Sequence, residues 1–379
     1  MTRLDVSDIP EASSNNSAAL GMSNSPGGSG GVPPSPVATG SEQPTSPGSS
    51  AASTPRPEQL QLPPSNSQPH PISTPLPKAQ PTPVPPTPAS QQPDVGTRLT
   101  LGVWSGQPWE PGNLDAVTTL IGRVPSTFLT YQGWDRGFHT SDMQQIAQRG
   151  AAHVVTWVPT GYTLKSIASG SHDAFIRDWA SGAAAWGGRI YLRPMHEMNG
   201  DWYSWGRGVN GNTPSDFIAA WRHIHDIFMA QGATNVKWVW SPNVRYGLAL
   251  PLADLYPGSG YVDWLGLDGY NWGLDPHLGQ PAWQSFEDIF GATYREVTSL
   301  APGKPLMIAE TASTENGGDK AQWIMQTFLT DIPRYPAVQA AIWFNAADGP
   351  SDFRIDSSAA SLAAFKQVLN SVGYSGRLP

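Results

Sequence analysis

The sequence predicts a single (β/α)8 TIM barrel preceded by a long disordered segment rich in Pro, Ser and Gly. The composition changes sharply near residue 96, and beyond that point eight β-rich runs alternate with helical patterns. Eight strands joined by helical crossovers imply a parallel sheet, and a count of eight favours a closed barrel over an open sheet. The predicted division is therefore a linker at residues 1–96 and a barrel at residues 97–379.

Residues 1–96 contain no Phe, Trp or Tyr, although the whole chain has 11, 16 and 11 of them. Such a segment cannot bury enough apolar surface to offset the entropy lost on ordering, so it is predicted to be a disordered linker or stalk. No signal peptide is visible at its start. A Pro-rich tether before a Trp-rich domain nevertheless favours an extracellular or cell-surface location, with an export segment encoded further upstream.

The overall composition excludes several kinds of partner. The net charge is −8 without a basic stripe, which argues against nucleic acid binding. The chain has no cysteine, so it offers neither a disulfide framework nor a thiolate metal site. No apolar run reaches the roughly 18 residues of a membrane span. A barrel of this size is commonly self-sufficient, and a monomer is the expected state.

Local sequence patterns in residues 97–379 predict the individual strands and helices. The predicted strands are Leu99–Trp104, Thr127–Gln132, His153–Val158, Ile190–Met195, Val236–Ser241, Trp264–Tyr270, Leu306–Glu310 and Ala341–Asn345. The predicted helices are Leu114–Ile121, Asp142–Gln148, Asp173–Trp186, Ser215–Ala230, Phe286–Leu300, Lys320–Phe328 and Ser358–Val372. Ser215 is the expected N-cap of the fourth of these helices. The fifth crossover, around Pro251–Tyr256, lacks a convincing helix.

An open doubly wound sheet is the alternative to a closed barrel. The segment Gly102–Gly106, after the first strand, lacks the spacing of a phosphate-binding loop, which argues against that fold.

The active site of a (β/α)8 barrel lies at the carboxyl ends of its strands. Strand four ends in Arg193-Pro194-Met195-His196-Glu197-Met198-Asn199-Gly200, and strand seven ends at Glu310. Period-two alternation places Leu306, Ile308 and Glu310 on the interior face. Two carboxyl groups, aromatic rings and amides on one rim suit glycoside hydrolysis. One carboxyl group protonates the leaving oxygen, while the other acts on the anomeric carbon or activates water.

These residues allow other interpretations. Glu197 could be a solvated turn residue, and Glu310 could be a buried partner of Arg193, which is compatible with a catalytic role. Glu315 is a rival nucleophile, but a solvated loop position is the better interpretation of it. The His196-Glu197 pair lacks the second His of a zincin, because that position is Gly200, so no metal site is predicted. Glycosyl transfer through carboxylates needs no cofactor, and none is expected.

These motifs resemble glycoside hydrolase family 26. The resemblance is carried mainly by the run from Arg193 to Gly206, which is similar to the family segment bearing the acid/base. Lys304–Glu310 is similar to the nucleophile segment, while Asp263–Trp272 and Ala341–Asn345 are similar to the sixth and eighth strands. The resemblance covers roughly residues 97–375 in pattern, and its strand-four motif is the most specific part.

The resemblance implies a retaining barrel enzyme with Glu197 as acid/base and Glu310 as nucleophile. It further implies that His196 lies beside the sugar, Tyr270 orients the nucleophile and Trp343 forms the sugar floor. The remaining predicted substrate-binding residues are Trp202, Trp205, Asn199 and Arg193.

The sequence patterns do not identify a single substrate. The resemblance implies an endo-β-glycanase acting on β-1,4-mannan. The alternatives are a mixed-linkage β-1,3-1,4-glucan or an exopolysaccharide. A different class of function, a non-catalytic carbohydrate-binding barrel, would use the same aromatic cleft but would need neither carboxylate.

Overall fold

A computed structural model describes residues 99–106, 109–244, 251–275, 282–348, 351–371, 374 and 378. The predicted linker, residues 1–96, lies outside the described residues. No described helix is long and apolar enough to cross a membrane.

Eight parallel strands form a closed barrel in which each strand pairs with the next and the last pairs with the first. This confirms the predicted fold class and the predicted number of strands. The strands are β1 (Thr100–Trp104), β2 (Thr127–Gly133), β3 (Ala152–Val158), β4 (Ile190–Pro194), β5 (Val236–Trp240), β6 (Trp264–Asn271), β7 (Leu306–Ser313) and β8 (Val338–Phe344). A short hairpin of β9 (Ala347–Asp348) and β10 (Ser351–Asp352) follows.

Helices surround the barrel close to the predicted positions. They are α1 (Pro111–Ile121), α2 (Thr140–Gln148), α3 (Leu164–Ala168), α4 (Asp173–Trp186), α5 (Pro214–Ala230), α6 (Ala292–Leu300), α7 (Lys320–Gln326) and α8 (Ala359–Leu369). A π turn, Glu287–Gly291, precedes α6, and another, Thr327–Asp331, follows α7. The described part of the fifth crossover contains two short 3-10 turns, Leu252–Leu255 and Ser259–Tyr261, and no α-helix, which agrees with the predicted lack of a convincing helix there.

The N-cap of helix α5 lies two residues before the predicted one. Its N-cap is Thr213, whose hydroxyl accepts from the backbone N–H of Asp216 while the Asp216 carboxylate accepts from the backbone N–H of Thr213. The intervening Pro214 suits the first helical position because its missing N–H has no intrahelical partner there. The prediction of Ser215 was therefore wrong, because a reciprocal capping box and a proline both favour the earlier start.

Strand β7 is buried along its whole length, as expected for a strand covered on both faces. Its pairing contains one extra residue. Leu267 of β6 pairs with Ile308, but the next residue of β6 pairs with Glu310, which leaves Ala309 as a bulge. The predicted period-two alternation of side chains along β7 is therefore interrupted next to Glu310. The bulge changes the direction of the Glu310 side chain at the carboxyl end of the barrel.

Candidate active site

The carboxyl groups of Glu197 and Glu310 both lie buried at the carboxyl ends of the strands. Glu310 belongs to β7 and is 4% exposed, whereas Glu197 follows the end of β4 and is 3% exposed. A buried carboxyl group requires hydrogen-bond partners, because its desolvation is otherwise too costly. The two side chains obtain different partners.

Glu310 is held by donors from three other strands. Its Oε1 accepts hydrogen bonds from the Tyr131 hydroxyl of β2 and from Nη2 of Arg193 in β4. Its Oε2 accepts a hydrogen bond from the Tyr270 hydroxyl of β6. These hydrogen bonds therefore orient both carboxyl oxygens of Glu310. The contact with Tyr270 that the family resemblance implied is present.

Arg193 lies beneath Glu310 as a completely buried cation. Its Nη1 donates to both carboxylate oxygens of Asp268, at 2.8 and 2.7 Å. Its Nε and Nη2 donate to Oγ1 of Thr156, at 3.0 and 2.8 Å. The guanidinium thus bridges two carboxylates, a geometry that its planar fork of donors favours.

These partners remain in their hydrogen-donating forms at neutral pH. Burial lowers the pKa of Arg193, but the charges of Asp268 and Glu310 outweigh this effect, and the pKa lies well above its usual value. Burial first, and then the charge of Glu310, raise the pKa of both Tyr131 and Tyr270 well above 10. The charge of Glu197 adds to the effect on Tyr270, so this phenol lies within the field of both carboxyl groups.

The backbone around Glu197 is strained. Met195 and Glu197 both adopt left-handed conformations, with φ of 48° and 52°, in a protein whose other left-handed positions are mostly glycines. Such a conformation costs about 1–2 kcal/mol for a residue with a side chain. Backbone hydrogen bonds hold it in place, because Glu197 N donates to Ser241 O at 2.7 Å and Met195 N donates to Trp157 O at 3.1 Å. The turn directs Glu197 into the mouth instead of continuing β4.

The Glu197 side chain accepts hydrogen bonds from two neutral N–H donors. The Trp202 indole donates to Oε2 at 2.7 Å, and the Asn243 carboxamide donates to Oε1 at 2.7 Å. Asn199, which was predicted to bind substrate, is half-buried and directs its carboxamide at the backbone of Asn243. Its carboxamide forms two hydrogen bonds with the backbone N–H and C=O of Asn243, both 2.9 Å long.

The structure brings His196 and Trp202 to the mouth. The Nε2 of His196 lies 3.1 Å from the Tyr203 hydroxyl, and its ring centre lies 5.6 Å from that of Tyr131. Trp202 is half-buried beside Glu197. Trp205, in contrast, is almost completely buried, stacks on Tyr203 at 4.5 Å and donates to the His196 carbonyl at 2.7 Å. Trp205 therefore supports the loop and does not line a subsite as predicted.

The prediction that Trp343 forms the sugar floor is wrong, because the side chain points out of the barrel. It is 0% exposed and packs against Trp323, Phe328 and Phe365 of the outer helical layer. Alternation along β8 turns the next residue, Phe344, inward. Phe344 stacks on Trp104 at 4.1 Å and meets the ring of Tyr270 edge-on at 5.5 Å.

Sequence reasoning missed three site residues: Tyr131, Asp268 and Asn243. Tyr131 lies near the end of β2, so the rule that found Glu310 applies to it equally well. Asp268 lies inside β6, where only knowledge of its buried partner, Arg193, reveals a role. Asn243 lies beyond Pro242 after β5, and no pattern in the sequence marks it. In the described ranges, no group of three or more His, Asp and Glu side chains is placed to hold a metal ion.

Comparison with known proteins identifies relatives of this chain. The family model for glycosyl hydrolase family 26 matches residues 174–325. Endoglucanase H of Acetivibrio thermocellus is 38% identical over 276 residues, which are 72% of this chain and 30% of that protein. Mannan endo-1,4-beta-mannosidase of Bacillus subtilis is 33% identical over 134 residues, which are 34% of this chain and 32% of that protein. The chain thus spans about a third of the length of these two relatives.

Solved structures share the fold at low sequence identity. The catalytic domain of an endo-beta-1,4-mannanase from Bacillus sp. JAMB-750 aligns with a TM-score of 0.57 and 20% identity, covering 74% of this chain and 88% of that one. A double mutant of the Cellulomonas fimi endo-beta-1,4-mannanase aligns with a TM-score of 0.58 and 19% identity, covering 73% of this chain and 71% of that one.

Proposed function

Because this chain belongs to glycoside hydrolase family 26, we propose that it is an endo-β-glycanase that retains the anomeric configuration. Glu310 is the nucleophile and Glu197 is the general acid and base. One observation carries the proposal: two buried carboxyl groups at one barrel mouth have unlike partners. Among the described residues, a cation and two phenols donate to Glu310, whereas the N–H groups of Trp202 and Asn243 donate to Glu197.

The surroundings of Glu310 suit a nucleophile. Arg193 supplies a permanent positive charge that contacts the carboxyl group of Glu310 directly. The two phenols fix its oxygens in direction, so one lone pair can be aimed at an anomeric carbon. The carboxylate thus arrives at the reaction already oriented and does not have to reorganise.

The first step forms a bond between a Glu310 oxygen and the anomeric carbon and breaks the bond from that carbon to the leaving oxygen. The electron pair of the broken bond stays on the leaving oxygen, which receives the proton of Glu197. In the second step Glu197 takes a proton from water, whose oxygen attacks the same carbon and releases Glu310. Two displacements at one carbon retain its configuration.

The charge of the site complements the transition state. Arg193, Asp268 and Glu310 form a buried cluster of one cation and two acids, in which burial raises the pKa of Asp268 well above its usual value while the charge of Arg193 opposes this. The transition state of glycoside hydrolysis develops positive charge at the anomeric carbon and ring oxygen. A fixed negative charge in a poorly solvated site stabilises that charge more strongly than water does.

The substrate proposed first is a β-glucan with 1,4-linkages, including mixed-linkage glucan. The similarity to Endoglucanase H extends over 276 residues, whereas that to the B. subtilis mannosidase extends over 134. β-1,4-Mannan is the second candidate, because mannosidases also occur among the relatives. His196, Trp202 and Phe344 are the side chains that we propose for contact with the sugar at the mouth.

The proposed place of action is outside the cell or at its surface, because a polysaccharide is too large to enter intact. A monomer is the proposed state. Fractionation of the native host tests the location, and light scattering tests the state. Recovery of the protein from the cytoplasm alone, or a stable dimer, would contradict these two proposals respectively.

Incubation of the full chain with soluble glycans tests the activity. We expect reducing ends to appear from mixed-linkage β-glucan or, as the second candidate, from glucomannan or galactomannan. Glu310→Ala and Glu197→Ala should release none above background while keeping the circular dichroism spectrum of the folded wild type. Retardation of the wild type on glycan gels without any release would instead support the non-catalytic binding barrel.

The stereochemical course tests the double displacement separately. Proton NMR of the reaction should show the β-anomer of the new reducing end first, followed by slow mutarotation. Initial appearance of the α-anomer would establish inversion and remove Glu310 from the role of nucleophile. A 2-deoxy-2-fluoro glycoside with a good leaving group should attach covalently to the peptide containing Glu310.

A further inference from the structure

We propose that Asn243 is a positioning residue that anchors one oxygen of Glu197 and thereby assigns the other oxygen to proton transfer. This inference rests on the proposed glycosidase function and deepens it. Asn243 lies just beyond β5 and is 3% exposed. Its carboxamide nitrogen donates to Oε1 of Glu197 at 2.7 Å.

The two oxygens of Glu197 have partners of unequal freedom. Oε1 faces Asn243, which is buried, whereas Oε2 faces Trp202, which is half-buried in the loop after β4. A side chain in a partly exposed loop can yield to the leaving oxygen of a substrate. A buried side chain without room to move cannot, so Oε2 is the oxygen that a substrate reaches.

The backbone of Asn243 is fixed on both sides. Asn199 accepts from its N–H and donates to its C=O, so this residue pair forms two reciprocal hydrogen bonds. On the other side, the neighbouring Val244 N donates to Asp268 O at 2.8 Å, and Asp268 N donates to Pro242 O at 3.2 Å. Asn243 is thus tied to the strand that carries the partner of Arg193, and these backbone hydrogen bonds restrict the position of its carboxamide.

The chemistry of a carboxamide explains the assignment. The Asn243 NH2 group and the Trp202 indole can only donate, so an oxygen of Glu197 can carry the transferable proton only where its donor gives way to the substrate. The half-buried Trp202 gives way more readily than the buried Asn243. The proton that protonates the leaving group is therefore carried by Oε2, and Asn243 holds the carboxyl plane so that Oε2 faces the cleft.

The test compares two substrates of the same sugar that differ in their need for a proton. An oligosaccharide has a poor leaving group and requires acid assistance, whereas a 2,4-dinitrophenyl glycoside leaves without it. For Asn243→Ala we expect kcat/KM to fall about 30-fold on the oligosaccharide, which is part of the effect of a general acid. On the dinitrophenyl glycoside we expect a fall of less than about 3-fold, provided that glycosylation limits kcat/KM.

Asn243→Asp provides a second variant of nearly identical shape. It places another carboxyl group against Oε1, and like charges disfavour the ionisation of neighbouring acids. The alkaline limb of the profile of kcat/KM against pH should therefore move to higher pH for the oligosaccharide. This variant keeps the proposal testable if Asn243→Ala does not fold.

Asn235 offers a matched control at the opposite end of β5. Its carboxamide also forms two hydrogen bonds, to Ala183 O at 2.9 Å and to Gly188 O at 2.7 Å. Asn235→Ala should lower the melting temperature while leaving the ratio of the two kcat/KM values unchanged. Equal losses on both substrates for Asn243→Ala, with an unshifted pH profile for Asn243→Asp, would overturn the proposal while leaving the glycosidase function intact. A wild type that cleaves no glycan would overturn the function itself.

Discussion

Asp268 receives two hydrogen bonds, 2.8 and 2.7 Å long, from Nη1 of Arg193, and neither side chain is exposed to solvent. Removing one partner of such a pair leaves the other charge buried without compensation. In this protein the remaining cation would still face Glu310, so the change affects the nucleophile as well as the fold. Asp268 therefore links the stability of the barrel to its chemistry.

Asp268→Asn tests this link. We expect the free energy of unfolding to fall by about 3 kcal/mol, the lower end of the range for breaking a buried ion pair. Hydrolysis should also slow, because Arg193 then neutralises Glu310 more completely. Urea denaturation and kcat/KM measure the two effects. Arg177→Met, which removes an exposed ion pair with Asp173, is the control and should cost no more than about 0.5 kcal/mol.

The two phenols that bind Glu310 should each contribute to the rate. Tyr131→Phe and Tyr270→Phe each delete a donor to a charged acceptor, worth about 1.5–3 kcal/mol, so kcat/KM should fall about 10- to 150-fold. Tyr374→Phe is a matched control, because its buried hydroxyl donates to Phe328 O at 2.7 Å, away from the catalytic carboxyl groups. It should reduce stability without reducing kcat/KM. Wild-type rates in both site variants would show that the contacts are incidental.

The orientation of Trp343 is open to a direct test. Trp343→Phe removes the hydrogen bond from its indole to Phe353 O, which is 2.8 Å long and buried. We expect a loss of about 1–3 kcal/mol of stability from the unsatisfied carbonyl. Kinetic constants should stay within about twofold, because the ring faces the helices. Phe344→Ala should instead raise KM. A raised KM for Trp343→Phe at unchanged stability would restore the family-based assignment.

Lys320 should make stability depend on pH. It is completely buried and donates to Asp352 O, Arg354 O and Ser357 Oγ. Burial lowers its pKa to about 8 from 10.5, which nearby acids only partly oppose. Between these two values the unfolded chain holds the proton and the folded protein does not, so stability rises with pH across this window. Below pH 8 the penalty is fully present.

The size of this effect is about 3 kcal/mol, since one pKa unit corresponds to about 1.4 kcal/mol. Urea denaturation of the wild type and of Lys320→Met at pH 7.5 and pH 10 measures it, and the difference between the two proteins removes the titration of tyrosines. The free energy of unfolding of the wild type should increase relative to that of Lys320→Met as the pH rises. A constant difference would mean that Lys320 keeps its ordinary pKa in the folded protein.

Strand positions and the two carboxyl groups were predictable because they depend on local patterns. Eight apolar runs at regular spacing specify the barrel, and a barrel specifies that Glu197 and Glu310 share a rim. Side-chain direction was less predictable. The bulge at Ala309 and the orientation of Trp343 depend on the register between neighbouring strands, which no single run contains. The hydrogen bonds of Asn199 and Asn243 depend on a turn whose left-handed residues are not glycines.

The anchoring of Glu310 also has a consequence for how the protein folds. Its donors Tyr131 and Arg193 lie 179 and 117 residues earlier in the chain. Contacts of such long range form only after the intervening loops have been closed, at a cost in chain entropy that local structure does not repay. Fragments that hold only half of the barrel cannot assemble this site. During refolding, catalytic competence therefore emerges together with barrel closure, after the helices and neighbouring strand pairs are in place.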